Sequence, residues 1–380
     1  MNEPLSVLVL GLSITSAWGN GHATTYRGLL RELSARGHQV TFLERDVPWY
    51  ASQRDLPNPE GVATSLYSSL DDLRGSWRNA IEQADVVIVG SYVPEGRDVV
   101  KLVLELARGP VAFYDIDTPI TLSALARNRC EYLDAADVRK LSTYLSFSGG
   151  AALVELARDF GAQRPVPLYC SADERVYFPD TSIVPQWSLG YLGTYSTDRQ
   201  PTLEELLLVP ARELPSHAFA VGGPQYPADI AWPANVTRIE HVAPPEHRRF
   251  YAQQRYTLNV TREDMRRLGW SPSIRLFEAA ACGVPLVTDT WPGLEELFRY
   301  GHEILPARTA ADVVRVLTEL SEDERTALAE RARRRVLAEH TAAHRAEQLE
   351  SYLRDALDER AHPTRRPGAS LPPETYGDPS

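Results

Sequence analysis

Short, unbroken apolar runs recur along this chain, each followed by a loop and a helical pattern. Ser6–Gly11 (SVLVLG) is the first. A run without polar alternation must be buried on both faces, as happens in parallel sheets covered by helices. A polar, Gly-containing loop follows. Tyr26, Leu29, Leu30 and Leu33 then recur at helical spacing, and Gly37 is suited to a helix C-cap. Residues 39–44, 85–90, 111–115 and 143–148 read as further strands with helical segments between them. This alternation predicts a parallel, doubly wound α/β sheet.

The texture changes over residues 165–179, where a strand, a turn and several prolines suit a crossing between domains. A second alternating series then begins. Residues 187–194, 217–223, 236–241, 256–261 and 284–289 read as strands, and 203–214, 246–253 and 273–282 as helices. From about residue 309 the chain is charged, amphipathic and helical. Its end, rich in Pro, Gly, Ser and Arg, reads as a disordered tail over 361–380. Two domains also suit 380 residues, against a usual ~100–200 per domain. The expected division is 1–178, 179–338, a closing helix over 339–360, and the tail. Open α/β sheets bind ligands at the carboxyl ends of their strands, so the site is expected in the cleft between the two domains.

Composition narrows the function. The net charge of −11 argues against a nucleic-acid partner, which needs a broad basic face. It leaves room for a small anion held by local arginines. Cys130, Cys170 and Cys282 are far apart, have no metal-ligand spacing, and read as buried free thiols of a reducing compartment. The first residues lack the basic segment of a signal peptide, and no apolar run approaches the ~20 residues of a membrane span. The expected location is cytoplasmic.

Residues 271–298, SPSIRLFEAAACGVPLVTDTWPGLEELF, carry the most chemistry. Ser271 and Ser273 can cap a helix with Pro272 near its first turn, and a helix start is a natural phosphate seat. Arg275 adds a forked cation in the first turn. Glu278, one turn on, can accept hydrogen bonds from ribose hydroxyls. By spacing alone the same residues also make an ordinary capped helix with a surface Arg–Glu pair. In the loop after the first strand, Gly19 and Gly21 allow close ligand approach. The loop is not a full dinucleotide fingerprint, and Glu44 and Asp46 are only rough partners for a ribose. His22, at a helix start, reads either as a packed or capping residue or as a neutral base. Asp115 and Asp117 end an apolar strand. Their D-x-D spacing admits metal binding, an acceptor-orienting or basic carboxylate, or capping. Arg199 and Arg262 follow strand ends and are candidates for neutralising a diphosphate, Arg262 within a cluster with Arg266 and Arg267. His340 and His344 lack a third ligand or an HExxH glutamate and read as structural.

The 271–298 segment, the linker PLYCSADERVYFP (167–179) and the set His340, Thr341, His344, Arg345 and Ala346 resemble the CgeB-like, spore-maturation-type glycosyltransferases, relatives of the family 4 retaining enzymes of the GT-B fold. The resemblance covers about residues 165–353. It implies two Rossmann-like domains facing a cleft, the first for the acceptor and the second for a nucleotide diphosphate sugar, with a C-terminal helix returning to the first. The implied reaction is metal-independent and retaining glycosyl transfer, with no cofactor beyond the donor, to an acceptor the sequence does not name. Glu278 matches the second glutamate of the family's E-x7-E element, and Thr290, Gly293 and Leu294 match a turn that approaches donor phosphate or sugar. The first glutamate would fall at position 270, which is Trp270. That departure leaves the donor sugar and the stereochemical outcome open and feeds one alternative, a non-catalytic structural or glycan-binding protein; a nucleotide-sugar epimerase sharing the fold and donor pocket is another.

Overall fold

The structure, a computed structural model, describes residues 3–18 and 21–362. The expected tail therefore lies outside the described residues, except at its first two positions. Two parallel sheets form. The first contains β1 (Ser6–Gly11), β2 (Gln39–Arg45), β3 (Ala63–Tyr67), β4 (Val86–Gly90), β5 (Val111–Asp115), β6 (Thr143–Ser146) and β7 (Pro165–Pro167), in the order β3-β2-β1-β4-β5-β6-β7. The second contains β8 (Trp187–Leu192), β9 (Phe219–Gly222), β10 (Val236–Ile239), β11 (Gln254–Asn259), β12 (Leu286–Thr288) and β13 (Leu305–Pro306), in the order β10-β9-β8-β11-β12-β13.

The unbroken apolar strands are explained by burial on both faces. Leu8, Leu10, Val87, Val89 and Phe113 pack on one side of the first sheet. Val7, Val9, Val86, Ile88 and Tyr114 pack on the other, with Tyr26 and Leu29. The helices that position the site are α1 (His22–Ala35), α2 (Thr118–Ala126), α3 (Gly150–Phe160), α4 (Pro244–Ala252), α5 (Glu263–Leu268), α6 (Ile274–Ala281), α7 (Glu322–Glu339) and α8 (Ala342–Ala361). Helix α6 is buried from Arg275 to Ala281 and packs on α7. Helix α8 lies against α1, and its Ala346, Leu349 and Leu353 complete the apolar layer beneath β1 and β4.

In each sheet the strand order reverses beside the first strand, at β1/β4 and at β8/β11. The loops leaving the carboxyl ends of these strands form the crevice where open α/β sheets hold ligands. The two halves also touch directly behind it. Leu268 enters the apolar cluster of the first sheet, the Gly149 N–H donates to the Trp270 carbonyl at 2.9 Å, and the Ser148 and Ser271 hydroxyls are 2.6 Å apart.

Candidate active site

The loop after β1 and the start of α1 face the loops after β8 and β9 across a cleft of about 250 Å³. Ala17, Gly21 and Thr24 come from the first half. Gly193, Arg199, Arg275 and Glu278 come from the second, together with Gly223, His241, Val242 and His247. The structure thus brings Gly21, Arg199, Arg275 and Glu278, named from sequence, to one place. Gly19 lies outside the described residues.

Arg275 is buried, and two of its nitrogens are tied down. Nε donates to the Leu192 carbonyl at 2.6 Å and Nη1 to Asn259 Oδ1 at 2.7 Å. The guanidinium lies 4.7 Å from the centre of the Tyr191 ring. A Cβ on Gly193 would sit 3.0 Å from Arg275 Nη2, so the glycine lets the backbone run against this cation. Arg199 donates through Nη2 to the Thr194 carbonyl at 2.6 Å, and its Nε is buried without a hydrogen-bond partner. Among the described residues neither arginine forms an ion pair. Two cations without an ion pair at one wall of a cleft are suited to meeting an anion.

Glu278 is buried and makes no ion pair with Arg275, so the surface-pair alternative is excluded. Tyr251, on α4, donates to its Oε2 at 3.0 Å. Burial, opposed by hydrogen bonds from Tyr177 and Tyr251 and by the charge of Arg275, raises its pKa to about 7. His247 stands one turn before Tyr251. Its Nε2 is 3.2 Å from the Val242 carbonyl, which requires a proton there. Nδ1, then unprotonated, lies 3.4 Å from the Tyr177 hydroxyl. Burial lowers its pKa to about 4, so the ring is neutral. Sequence reasoning missed His247, Tyr251 and Tyr177. The i,i+4 spacing of the first two in a helical stretch was the one available signal, and it reads equally as core.

Ser273 does not cap α6 with its side chain. Its hydroxyl donates to Asn259 Oδ1 at 2.7 Å, helping to fix the acceptor that also holds Arg275. Ser271 is occupied by Ser148 and so does not cap either. Arg262 stands 3.9 Å from Asp198 through Nε. Its charge and that of Arg199 act on Asp117 in the first half, opposing the upward pull of burial on that carboxyl.

The first-half candidates separate. His22 opens α1, its Nδ1 is buried without a hydrogen-bond partner, and burial lowers its pKa to about 3, leaving a neutral imidazole. Its ring centre is 5.6 Å from that of Tyr92, and the Tyr92 hydroxyl donates to Asp117 Oδ2 at 2.9 Å. Tyr92 holds a left-handed φ of 64° to do so. Asp115 is placed differently from the expectation of a cleft carboxylate. It is fully buried and turned into the first half, accepting from Tyr144 at 2.6 Å and Thr121 at 2.9 Å, with its pKa raised by burial to about 6. The hydroxyls of Tyr144 and Thr121 occupy oxygens that a metal or an acceptor would need.

Thr290, Gly293 and Leu294 do not line this cleft, contrary to the expectation. Leu294 is buried in the core beneath α6. Thr290 lines a separate depression with Glu295 and Arg308. Gly293 is covered by the Trp270 indole, which a Cβ there would meet at 2.4 Å. The same indole lies against Gly150, at 2.3 Å from an added Cβ. Trp270 thus fills a gap between the halves, its backbone N–H donating to the Pro292 carbonyl at 2.7 Å.

Residues 199–351 match a family model described as glycosyl transferase-like. That segment supplies Arg199, Arg262, Arg275 and Glu278. Several solved structures share the fold over nearly the whole chain. Sucrose-phosphate synthase from Thermosynechococcus elongatus is 12% identical, covering 92% of this chain and 98% of that one, with a TM-score of 0.66. Anabaena Alr3699/HepE, in complex with UDP and glucose, is 13% identical over 92% and 100%, with a TM-score of 0.68. An alpha-glucosyltransferase in complex with UDP-glucose and DNA containing an abasic site is 14% identical over 93% and 100%, also at 0.68. The chain has the GT-B fold of glycosyltransferases. No curated protein matches it in sequence. No helix among the described residues is long and apolar enough to cross a membrane.

Proposed function

We propose that this GT-B chain transfers a glycosyl group from a nucleotide diphosphate sugar to an acceptor, without a metal and with retention of the anomeric configuration. The observation that carries the reading is the pair of guanidiniums without an ion pair, the buried Arg275 and the half-buried Arg199, lining one cleft with Glu278 and the start of α1. The diphosphate would meet these arginines and Arg262, and the ribose hydroxyls would meet Glu278. Negative charge growing on the leaving diphosphate is stabilised by cations already held in place, at no cost of reorganisation during reaction. The arginines supply that charge, so the reading requires no metal. Asp115 is engaged inward, so the first half does not offer it as a base for direct displacement, which favours retention. Asp117 and the neutral His22 remain to orient the acceptor. UDP complexes among the structural neighbours make UDP-sugars the first donors to try.

The test is thermal stabilisation by UDP, GDP, dTDP and their sugars, for the wild type and for Arg275→Ala and Glu278→Ala. A ligand that binds only the native state raises the melting temperature. One nucleotide should stabilise the wild type, with at least a tenfold loss of affinity in each variant, about 1.4 kcal/mol. No shift with any nucleotide at millimolar concentration would refute the donor site. With an acceptor found, the anomeric proton coupling of the product reports retention, and turnover in EDTA reports metal independence.

A further inference from the structure

Seven tryptophans are present in the chain, and two are exposed among the described residues: Trp18 at 48% and Trp49 at 55%. Both lie in the first half, Trp18 on the loop after β1 and Trp49 in a single helical turn, Pro48–Ala51, in the connection after β2. The loops are tied together. The Ser16 hydroxyl donates to the Gln53 carbonyl at 2.7 Å, the Ala17 N–H to Asp55 Oδ1 at 2.9 Å, and the Leu56 N–H to the Thr15 carbonyl at 3.1 Å. The fully buried Glu44 accepts from the Ile14 and Thr15 N–H groups at 2.8 and 3.0 Å and from the Thr15 hydroxyl at 2.7 Å. Residues 14–17 of the first loop are therefore anchored from below and tied to residues 53–56 of the second. The ledge they form is also continuous with the cleft, since Ala17, beside Trp18, lines it.

The charges of the ledge are internally balanced. Arg27 forms a two-pronged pair with Asp55, Arg54 pairs with Asp46, and Arg45 pairs with Glu95. None of these arginines is left over for a phosphate. The occupant that suits exposed indoles on a neutral, polar-rimmed shelf is itself neutral and two-faced. It has flat C–H surfaces to cover the rings and hydroxyls to meet the polar groups around them. A pyranose has that character. A planar aromatic acceptor would gain most from an enclosed slot, which an open ledge does not provide, and an anionic membrane or nucleic acid would need unpaired cations.

We propose that Trp18 and Trp49 form an acceptor ledge for a neutral saccharide chain, whose end the ledge delivers to the cleft. The proposal rests on the glycosyl-transfer reading and names its acceptor class.

The test uses the full chain and saturation-transfer NMR with cellohexaose, maltohexaose and chitohexaose. Trp18→Ala, Trp49→Ala and, as a distant exposed control, Tyr300→Ala are compared with the wild type. 2-Naphthol and phosphatidylglycerol vesicles serve as competing classes. Nucleotide-induced melting shifts are recorded on the same samples. The expected result is millimolar binding of at least one saccharide, weakened tenfold or more in both tryptophan variants and unchanged in the control, with the nucleotide shift intact throughout. Absence of saccharide binding, binding that survives both substitutions, or tryptophan-dependent binding of naphthol or vesicles alone would each overturn the ledge. Loss of the nucleotide shift already in the wild type is a different failure, that of the donor reading.

Discussion

At the scale of single residues, the cleft depends on polar groups kept out of water. Glu278 shows the consequence. Its pKa rises from 4.5 to about 7 because burial disfavours its charge more than its tyrosine donors and Arg275 favour it. A folded-state pKa above the unfolded one means that the folded chain keeps a proton the unfolded chain releases. Its contribution to stability is therefore greatest below about 4.5, falls as pH rises to about 7, and is level above that. Glu278→Gln removes this slope. Asp115, with its own pKa raised to about 6, tilts the wild type and the variant alike, so the difference between them isolates Glu278. Melting temperatures measured at intervals from about pH 4 to 8 should show the wild type losing stability relative to Glu278→Gln across that range. Ionised Glu278 is also the better acceptor for ribose hydroxyls. Nucleotide affinity should thus rise several-fold between about pH 6 and 8 in the wild type and stay level in the variant. Parallel titration curves for the two proteins would remove Glu278 from the donor site.

At the scale of elements, legibility followed burial. Strands β1, β4 and β5 sit inside their sheet and announce themselves as apolar runs. Two of the edge strands do not. β3 reads ATSLY with Leu66 exposed, and β13 is the dipeptide LP. Neither has the length or apolarity that marks a strand, because an edge strand is half solvated and its pairing depends on a neighbour distant in sequence. The site divides in the same way. Arg275 and Glu278 were legible because a helix start and its first turns are local. The fate of Thr290, Gly293 and Leu294 was not, because it depends on where the Trp270 indole goes. That ring is clamped between Gly150 and Gly293, both at positive φ, 51° and 87°, and no local pattern joins positions so far apart. A double-mutant cycle tests the clamp. Gly150→Ala should cost about 2–4 kcal/mol, combining overpacking against the indole with the strained backbone. In a Trp270→Ala background the overpacking part vanishes, leaving a coupling of about 1–3 kcal/mol. Additive costs from chemical denaturation would show that the indole does not fill this gap.

At the scale of the whole molecule, the chain's end is stitched into its beginning. Helix α8 buries Leu349 and Leu353 under the first sheet. Glu350 pairs with Arg36 and Arg354, and Arg345 donates to the Tyr169 carbonyl at 3.1 Å in the crossing segment. Between the halves, Leu268 and Trp270 pack into surfaces of the first half while their own chain leads directly into α6, the helix of Arg275 and Glu278. Any movement that separates the halves must therefore disturb α6, and loosening the first half must be felt there. Unfolding should accordingly be one cooperative transition despite the two sheets. Replacing Leu349 and Leu353 together by Ala, far from the cleft, should cost roughly 4–8 kcal/mol and lower the entire calorimetric peak by on the order of 10 °C. Nucleotide stabilisation should survive as a shift of that single lowered peak. Two resolved peaks, with only one displaced by the leucine substitutions and the other alone raised by nucleotide, would mean that the halves fold as independent bodies and that the contacts around Trp270 do not couple them.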